Sequence, residues 1–114
     1  MTLSFWEALD YLVKSHPLII DRPKGSAHPR YPDLIYPVDY GFLEGTHSMD
    51  GGGIDAWRGT REDLVLDAII VTVDLVKRDT EIKLLIGCTQ DEKDQILGFH
   101  NNSINMKGIL VPRE

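Results

Sequence analysis

The stretch YPVDYGFLEGTHSMDGGGID, residues 36–55, carries the pattern that decides the fold. Near its end, Asp50 and Asp55 flank a run of glycines, whose backbone freedom permits a tight turn that brings the two carboxylates together. Mg²⁺ in proteins usually takes one or two carboxylates and keeps several waters. The loop therefore predicts a metal site, although Asp-Gly and Gly-Gly pairs are also typical of a plain hairpin tip.

Two tyrosines precede this loop. Tyr36 and Tyr40 are four residues apart, so on an extended strand they point to the same face but lie about 13 Å apart. At that separation they line a groove without touching, or are simply two half-buried strand residues. Trp57, just beyond the loop, is expected to be a packing residue.

Residues 64–88 predict a β-hairpin, with strands at 64–77 and 81–88 and a turn at 78–80, because Val and Ile are frequent on both sides of a polar turn. Side chains alternate along a strand, which predicts an apolar face that fills a barrel interior and a charged face on the surface. The apolar face consists of Val71, Val73, Leu75, Ile82, Leu84 and Ile86. The charged face holds Asp74, Glu81 and Lys83, either as a solvated cluster or as a metal carboxylate beside a phosphate-neutralising ammonium.

The flanks predict two short helices. Ser4 with Glu7, and Thr89 with Glu92, have the spacing of capping boxes and open helices at 4–14 and 89–99. Residues 18–21 predict a short strand and residues 103–114 an edge strand. Exposed edges in so small a protein predict association with copies of itself.

The composition of the chain disfavours some classes of partner. The chain has 114 residues and a formal net charge of −6, with no basic cluster, which disfavours a nucleic-acid partner and means that a bound phosphate needs metal ions. We expect one domain over residues 1–114. The single cysteine, the absence of a signal-peptide pattern and of a long apolar run predict a cytoplasmic protein without a membrane partner. The four histidines lack metal-ligand spacing and are expected at the surface or in loops.

The order of the motifs is more specific than any one of them. PKGS, R-Y, YPVDYGF, DGGGID and E-I-K follow one another between Ile20 and Cys88, and this order resembles the soluble, family I inorganic pyrophosphatases. The resemblance implies a mainly β fold with short flanking helices, built on an OB-like five-stranded β-barrel. It also implies hydrolysis of pyrophosphate by a water that Mg²⁺ activates, with Mn²⁺ as the alternative cofactor.

The resemblance also assigns roles to seven residues. Substrate binding falls to Arg30, Tyr36, Tyr40 and Lys83. Metal binding falls to Asp50, Asp55 and Glu81. The catalytic residues it implies are Asp55, Tyr40 and Lys83.

Some positions depart from the family pattern. Gly52 replaces the aspartate that orients and deprotonates the attacking water, Gly53 replaces the next proline, and Pro32 replaces a glutamate. The family's phosphate-clamping arginine loop is missing before Tyr36. Three hypotheses follow: a pyrophosphate hydrolase in which Asp74 or Asp21 substitutes for the lost base, a hydrolase of another phosphoanhydride such as a nucleotide or sugar diphosphate, and an inactive homologue that binds metal and phosphate.

Overall fold

The computed structural model describes residues 2–114, in which six strands form one sheet with two helices. The elements in chain order are α1 Phe5–Ser15, β1 Leu18–Arg22, β2 Asp39–Leu43, β3 Ile54–Arg58, β4 Leu66–Asp74, β5 Asp79–Ile86, α2 Gln90–Asn101 and β6 Met106–Pro112. The strand order is β1-β2-β3-β5-β4-β6, with β3 and β5 parallel and the other neighbours antiparallel. The predicted mainly β fold with flanking helices is confirmed.

The predicted five-stranded barrel is not seen among residues 2–114. The sheet has six strands where five were expected, and among residues 2–114 its outer strands, β1 and β6, do not pair to close it. The extra strand is β6, which pairs with β4 along its length. The tail predicted as an edge strand is therefore confirmed, and it occupies one open edge of the sheet.

Both predicted capping boxes are formed. The Ser4 hydroxyl accepts from the Glu7 amide at 3.0 Å while the Glu7 carboxylate accepts from the Ser4 amide at 2.9 Å. Thr89 and Glu92 do the same at the start of α2. Each box satisfies two backbone N–H groups that the first turn leaves without a partner. Within residues 2–114, neither helix has the length and apolar character needed to cross a membrane.

The sheet has a hydrophobic core on each face. α1 covers one face, where Trp6, Leu9, Leu12 and Val13 pack against a buried cluster of Leu43, Ala56, Leu66, Ile69, Leu84 and Ile86. α2 covers the other face, where Ile96 is buried in a cluster with Tyr36, Val38, Tyr40, Trp57, Ala68, Ile70, Leu85 and Cys88. Trp57 is the packing residue that the sequence predicts.

The hairpin β4–β5 has the predicted faces but not the predicted exposure. Val71 pairs with Ile82 and Thr72 with Glu81, so the apolar and polar sides are as expected. Near the turn, however, Ile82 on the apolar side is 45% exposed, whereas Lys83 on the charged side is only 5% exposed. The prediction of a buried apolar face and a charged surface is therefore wrong at this end. α1 packs against the part of the hairpin remote from the turn, and the charged side forms the floor of a cavity.

Candidate functional site

A cavity of about 650 Å³ opens between β1, the residue 28–36 segment, the β4–β5 hairpin and the C-terminal end of α2. All seven residues to which the sequence assigned roles line it: Arg30, Tyr36, Tyr40, Asp50, Asp55, Glu81 and Lys83. The fold thus collects in one place residues that are up to 53 positions apart in the chain. The lining carries seven carboxylates and four side chains that are permanently cationic, so the cavity is acidic.

Lys83 is the centre of a hydrogen-bond network at the floor of this cavity. Its ammonium nitrogen Nζ donates to Tyr40 Oη at 2.9 Å, to Asp55 Oδ2 at 2.9 Å and to Glu81 Oε2 at 2.8 Å. A lysine has three N–H donors, and all three of these have an acceptor. Burial alone lowers the pKa of Lys83, but its acidic partners outweigh burial, so its pKa lies above the ordinary value. The buried ammonium is charged and fixes the two carboxylates relative to each other.

Three adjacent strands supply these contacts. Tyr40 lies on β2, Asp55 on β3, and Glu81 and Lys83 on β5, where the two residues share a face because they are two positions apart. The order β2-β3-β5 brings the three strands side by side. Burial raises the pKa of the Tyr40 phenol, which Lys83 only partly offsets, so Tyr40 is neutral and can donate a hydrogen bond.

Tyr36 and Tyr40 contact each other, contrary to the prediction that they line a groove without touching. Their ring centroids are 5.3 Å apart. The prediction assumed one continuous strand, but β2 begins only at Asp39, so Tyr36 approaches the sheet from a separate segment. The tyrosine pair therefore forms part of the cavity wall and of the core beneath it.

Arg22 is a cavity residue that the sequence reasoning missed. Its guanidinium donates to the Tyr36 hydroxyl and lies 6.0 Å from the Tyr40 ring centroid. The pairing of β1 with β2 shifts register between Ile20 and Arg22, so that Arg22 lies opposite Tyr40. A bulge of this kind re-aims a side chain, and simple alternation along the strand does not reveal it.

Gly41 explains why β1 and β2 can approach so closely. A Cβ built at this position would lie 1.7 Å from the carbonyl oxygen of Ile19, far inside any real contact. The glycine of the YPVDYGF motif is thus required for the strand pairing that delivers Arg22 to the cavity.

The loop between β2 and β3 holds Asp50 at the cavity margin. The Ser48 hydroxyl and the Gly52 amide donate to Asp50, the latter at 2.9 Å, and these bonds lower the pKa of Asp50, with a smaller contribution from the Glu81 carboxyl group. Gly53 has no room for a side chain, since its Cβ would lie 2.8 Å from Phe42 and 2.9 Å from the Leu43 carbonyl oxygen. At Gly52 a Cβ would meet only Asp50, at 3.4 Å.

Two carboxylates that could replace the missing base also line the cavity. Asp74 Oδ1 accepts from the amides of Val76 and Lys77 at 2.9 and 3.0 Å, so one of its oxygens is engaged in the hairpin turn. Asp21 lies at the bulge of β1. Both residues line the cavity, and Asp74 is the more constrained of the two.

The carboxylates of the cavity are the type of ligand that a hard divalent cation takes, but they are not arranged as a formed metal site. Among residues 2–114, no group of three or more His, Cys, Asp or Glu side chains has the arrangement of a formed metal site. Lys83 takes one oxygen of Asp55 and one of Glu81, which leaves the second oxygen of each for another partner. Oxygen donors of this type are those that Mg²⁺ prefers.

Among the comparisons with known proteins, the one with solved structures finds a similar fold. The chain is similar to the solved structure of an inorganic pyrophosphatase from Helicobacter pylori, with a TM-score of 0.58 and 16% identity, over 83% of this chain and 81% of that one. No protein-family model matches the sequence, and no curated protein sequence matches it. The fold of this chain, a β sheet with two flanking helices, therefore resembles that of an inorganic pyrophosphatase. At 16% identity the likeness is one of fold alone.

Proposed function

We propose that this chain is a Mg²⁺-dependent hydrolase that splits inorganic pyrophosphate into two phosphates. The observation that carries the proposal is the buried ammonium of Lys83, which holds Tyr40, Asp55 and Glu81 at the floor of an acidic cavity. The fold in which this cavity lies is similar to that of an inorganic pyrophosphatase. Membership of that enzyme family is part of the proposal.

The charge of the cavity argues for a metal cofactor. Pyrophosphate is strongly anionic, and seven carboxylates against four cationic side chains repel it unless cations intervene. Asp50, Asp55 and Glu81 are the proposed ligands, with Mg²⁺ as the cofactor and Mn²⁺ as the alternative. When bound, such a cation neutralises phosphate oxygens and lowers the pKa of water.

The protein groups divide the remaining work. Arg22 and Arg30 add positive charge to the lining of the cavity, Arg22 beside Tyr40, and Tyr36 positions Arg22 through its hydroxyl. Tyr40 donates a hydrogen bond to a phosphate oxygen. Lys83 acts first as the clamp of Asp55 and Glu81, because a phosphate oxygen can bond it only by replacing one of its three present acceptors.

Gly52 favours a second candidate, a homologue that binds metal and diphosphate but does not turn it over. No side chain at this position can take a proton from water, and loss of a general base typically costs on the order of 10²- to 10⁴-fold in rate. Calorimetry with Mg²⁺ and methylenediphosphonate separates the candidates, since binding without hydrolysis of any phosphoanhydride supports the inactive form.

Phosphate release from pyrophosphate tests the proposal. We expect release with Mg²⁺ or Mn²⁺ that Asp55→Ala abolishes, because the substitution removes a proposed ligand and one partner of Lys83. Asp91→Asn, a carboxylate on the exposed side of α2 and outside the cavity, is the matched control and should retain full activity. Equal rates for wild type and Asp55→Ala, or no release with either metal, contradict the proposal.

Cytoplasmic location and association with copies of itself stay predictions.

A further inference from the structure

The cavity is much larger than the proposed substrate requires. Cavities of roughly 300–1,000 Å³ bury drug-sized organic ligands, and this one measures about 650 Å³, whereas pyrophosphate is a small inorganic ion. The charged floor at Lys83 accounts for only one end of the cavity. The outer part has a different chemistry.

A line of aromatic rings leads outward from the floor. Tyr40 contacts Tyr36, and the His28 ring stacks on Tyr36 at an interplanar angle of 8°. The ring centroids of Tyr31 and His28 are 5.1 Å apart. Tyr31 ends the line and is 54% exposed, so the core does not account for its position. Burial lowers the pKa of His28, and Arg22 and Arg30 lower it further, so its ring is neutral near pH 7 and offers an uncharged face.

The segment that carries these outer rings is held in place. Hydrogen bonds from the Tyr36 amide to the Ser26 carbonyl and from the His28 amide to the Leu34 carbonyl join its two arms. The Leu34 amide closes the tip by donating to the Tyr31 carbonyl at 2.9 Å. A preformed aromatic surface loses little conformational entropy when a ring stacks on it.

Positive charge lies where the aromatic line meets the charged floor. The Arg22 guanidinium is 5.6 Å from the Tyr36 ring centroid and 6.0 Å from that of Tyr40, the two inner rings of the line. Asn102 and Asn105 also line the cavity and are exposed, so their side-chain amides offer donors and acceptors. From the floor outward, the ammonium of Lys83 is thus followed by a guanidinium and then by aromatic rings.

We infer that the cavity takes a nucleoside diphosphate, with its base against His28 and Tyr31 and its anhydride between Arg22 and Lys83. This inference rests on the proposed function and names a further substrate class for the same site. In the reaction, the oxygen of water bonds to the terminal phosphorus, and the bond from that phosphorus to the bridging oxygen breaks. The bridging oxygen leaves with the nucleoside monophosphate, orthophosphate forms, and one proton passes to solvent. An acidic cavity and a net charge of −6 favour a mononucleotide over a polynucleotide.

Calorimetric titration in the presence of Mg²⁺ tests the inference with three non-hydrolysable probes: methylenediphosphonate and the α,β-methylene analogues of ADP and UDP. We expect the nucleoside analogues to bind about tenfold more tightly than methylenediphosphonate, a difference of about 1.4 kcal/mol, because their base stacks on aromatic side chains. Tyr31→Ala should remove that advantage and leave methylenediphosphonate binding unchanged. Tyr11→Ala is the matched control, because Tyr11 is 65% exposed on α1 and outside the cavity.

The outcomes separate this inference from the proposed function. Methylenediphosphonate bound as tightly as the nucleoside analogues, or an equal loss of all three affinities in Tyr31→Ala, overturns the inference and leaves the proposed function standing. Failure of all three probes to bind overturns both. Loss of the advantage in Tyr11→Ala as well overturns the assignment of the base to the Tyr31 end.

Discussion

Lys83 carries a positive charge in a place where few lysines are found. Its side chain is 6% exposed, and those of its partners Asp55 and Glu81 are 28% and 12% exposed. Removing one member of a buried ion pair is costly because the other members stay behind without compensation. The charge of Lys83 therefore has a structural role in addition to the one that the proposed function gives it.

Lys83→Met should lower the free energy of unfolding by about 3 kcal/mol, as expected when a buried charge loses its partner. Urea denaturation measures the change. The triple variant Lys83→Met, Asp55→Asn, Glu81→Gln is the control and should recover part of the loss, because it no longer buries uncompensated carboxylates. Ordinary surface substitutions change the free energy of unfolding by less than about 0.5 kcal/mol. A loss this small for the single variant contradicts the role of Lys83 in compensating the Asp55 and Glu81 carboxylates.

Gly52 is the residue at which function can be gained. Its Cβ position is open apart from Asp50 Oδ1 at 3.4 Å, and its φ is not positive, so an aspartate fits. Gly52→Asp should raise the rate of pyrophosphate hydrolysis by about 10²-fold, because it supplies a base to the attacking water. Gly53→Asp is the control and should instead destabilise the fold, since a Cβ there lies 2.8 Å from Phe42. An unchanged rate in Gly52→Asp shows that no base is missing.

His100 was expected at the surface or in a loop, and this is wrong: it lies on α2, is 3% exposed, and its Nε2 accepts from the Trp57 indole at 3.2 Å. Burial lowers the pKa of His100 from 6.5 to about 3, with a smaller effect of the charge on Lys83. The unfolded chain takes up this proton below pH 6.5, whereas the folded chain does so only near pH 3. The neutral imidazole therefore stabilises the fold above pH 6.5, and that contribution is lost as the pH falls towards 3.

The wild-type free energy of unfolding should consequently fall by up to about 1.4 kcal/mol per pH unit below pH 6.5 through this group. His100→Gln keeps an acceptor for Trp57 and lacks the titration, so its pH profile should be flatter. Urea denaturation at pH 7.5 and 5.0 measures both profiles. Parallel profiles contradict the burial of a neutral His100.

At the level of elements, the two capping boxes differ in what they join. Glu7 caps only its own helix, whereas Glu92 also accepts from the Thr60 amide at 3.1 Å and so links α2 to the loop after β3. Glu92→Ala should lower the free energy of unfolding by about 2 kcal/mol, and Glu7→Ala by about 1 kcal/mol or less. Equal losses in urea denaturation contradict the additional role of Glu92.

The elements also show what a sequence can predict. Local signals located both helices, the hairpin faces and β6, because capping and alternation depend on neighbouring residues. The order of the motifs predicted that Asp50, Asp55, Glu81 and Lys83 lie together, and all four line the cavity. Arg22 escaped prediction because a bulge re-aims it, and the tyrosine contact because β2 begins after Tyr36. Exposure of the hairpin depends on which part of it α1 covers, and no local pattern records that.

For the molecule as a whole, an open sheet covered by one helix on each face leaves its acidic cavity at the α2 side accessible. Exposed apolar side chains remain on the α1 side near the hairpin turn, among them Val73, Ile82 and Ile109. Association with copies of this chain stays a prediction, which sedimentation at several protein concentrations measures.

The proposed function requires that the cavity around Lys83 bind a divalent cation and a diphosphate together. A crystal structure obtained with saturating Mg²⁺ and methylenediphosphonate tests it most directly. We expect a cation about 2.0–2.1 Å from carboxylate oxygens of Asp50, Asp55 or Glu81, with phosphate oxygens within hydrogen-bonding distance of Arg22 and Lys83 or Tyr40. A structure in which the cavity holds neither the cation nor the diphosphonate, with Lys83 still bonded to the same three acceptors, contradicts it.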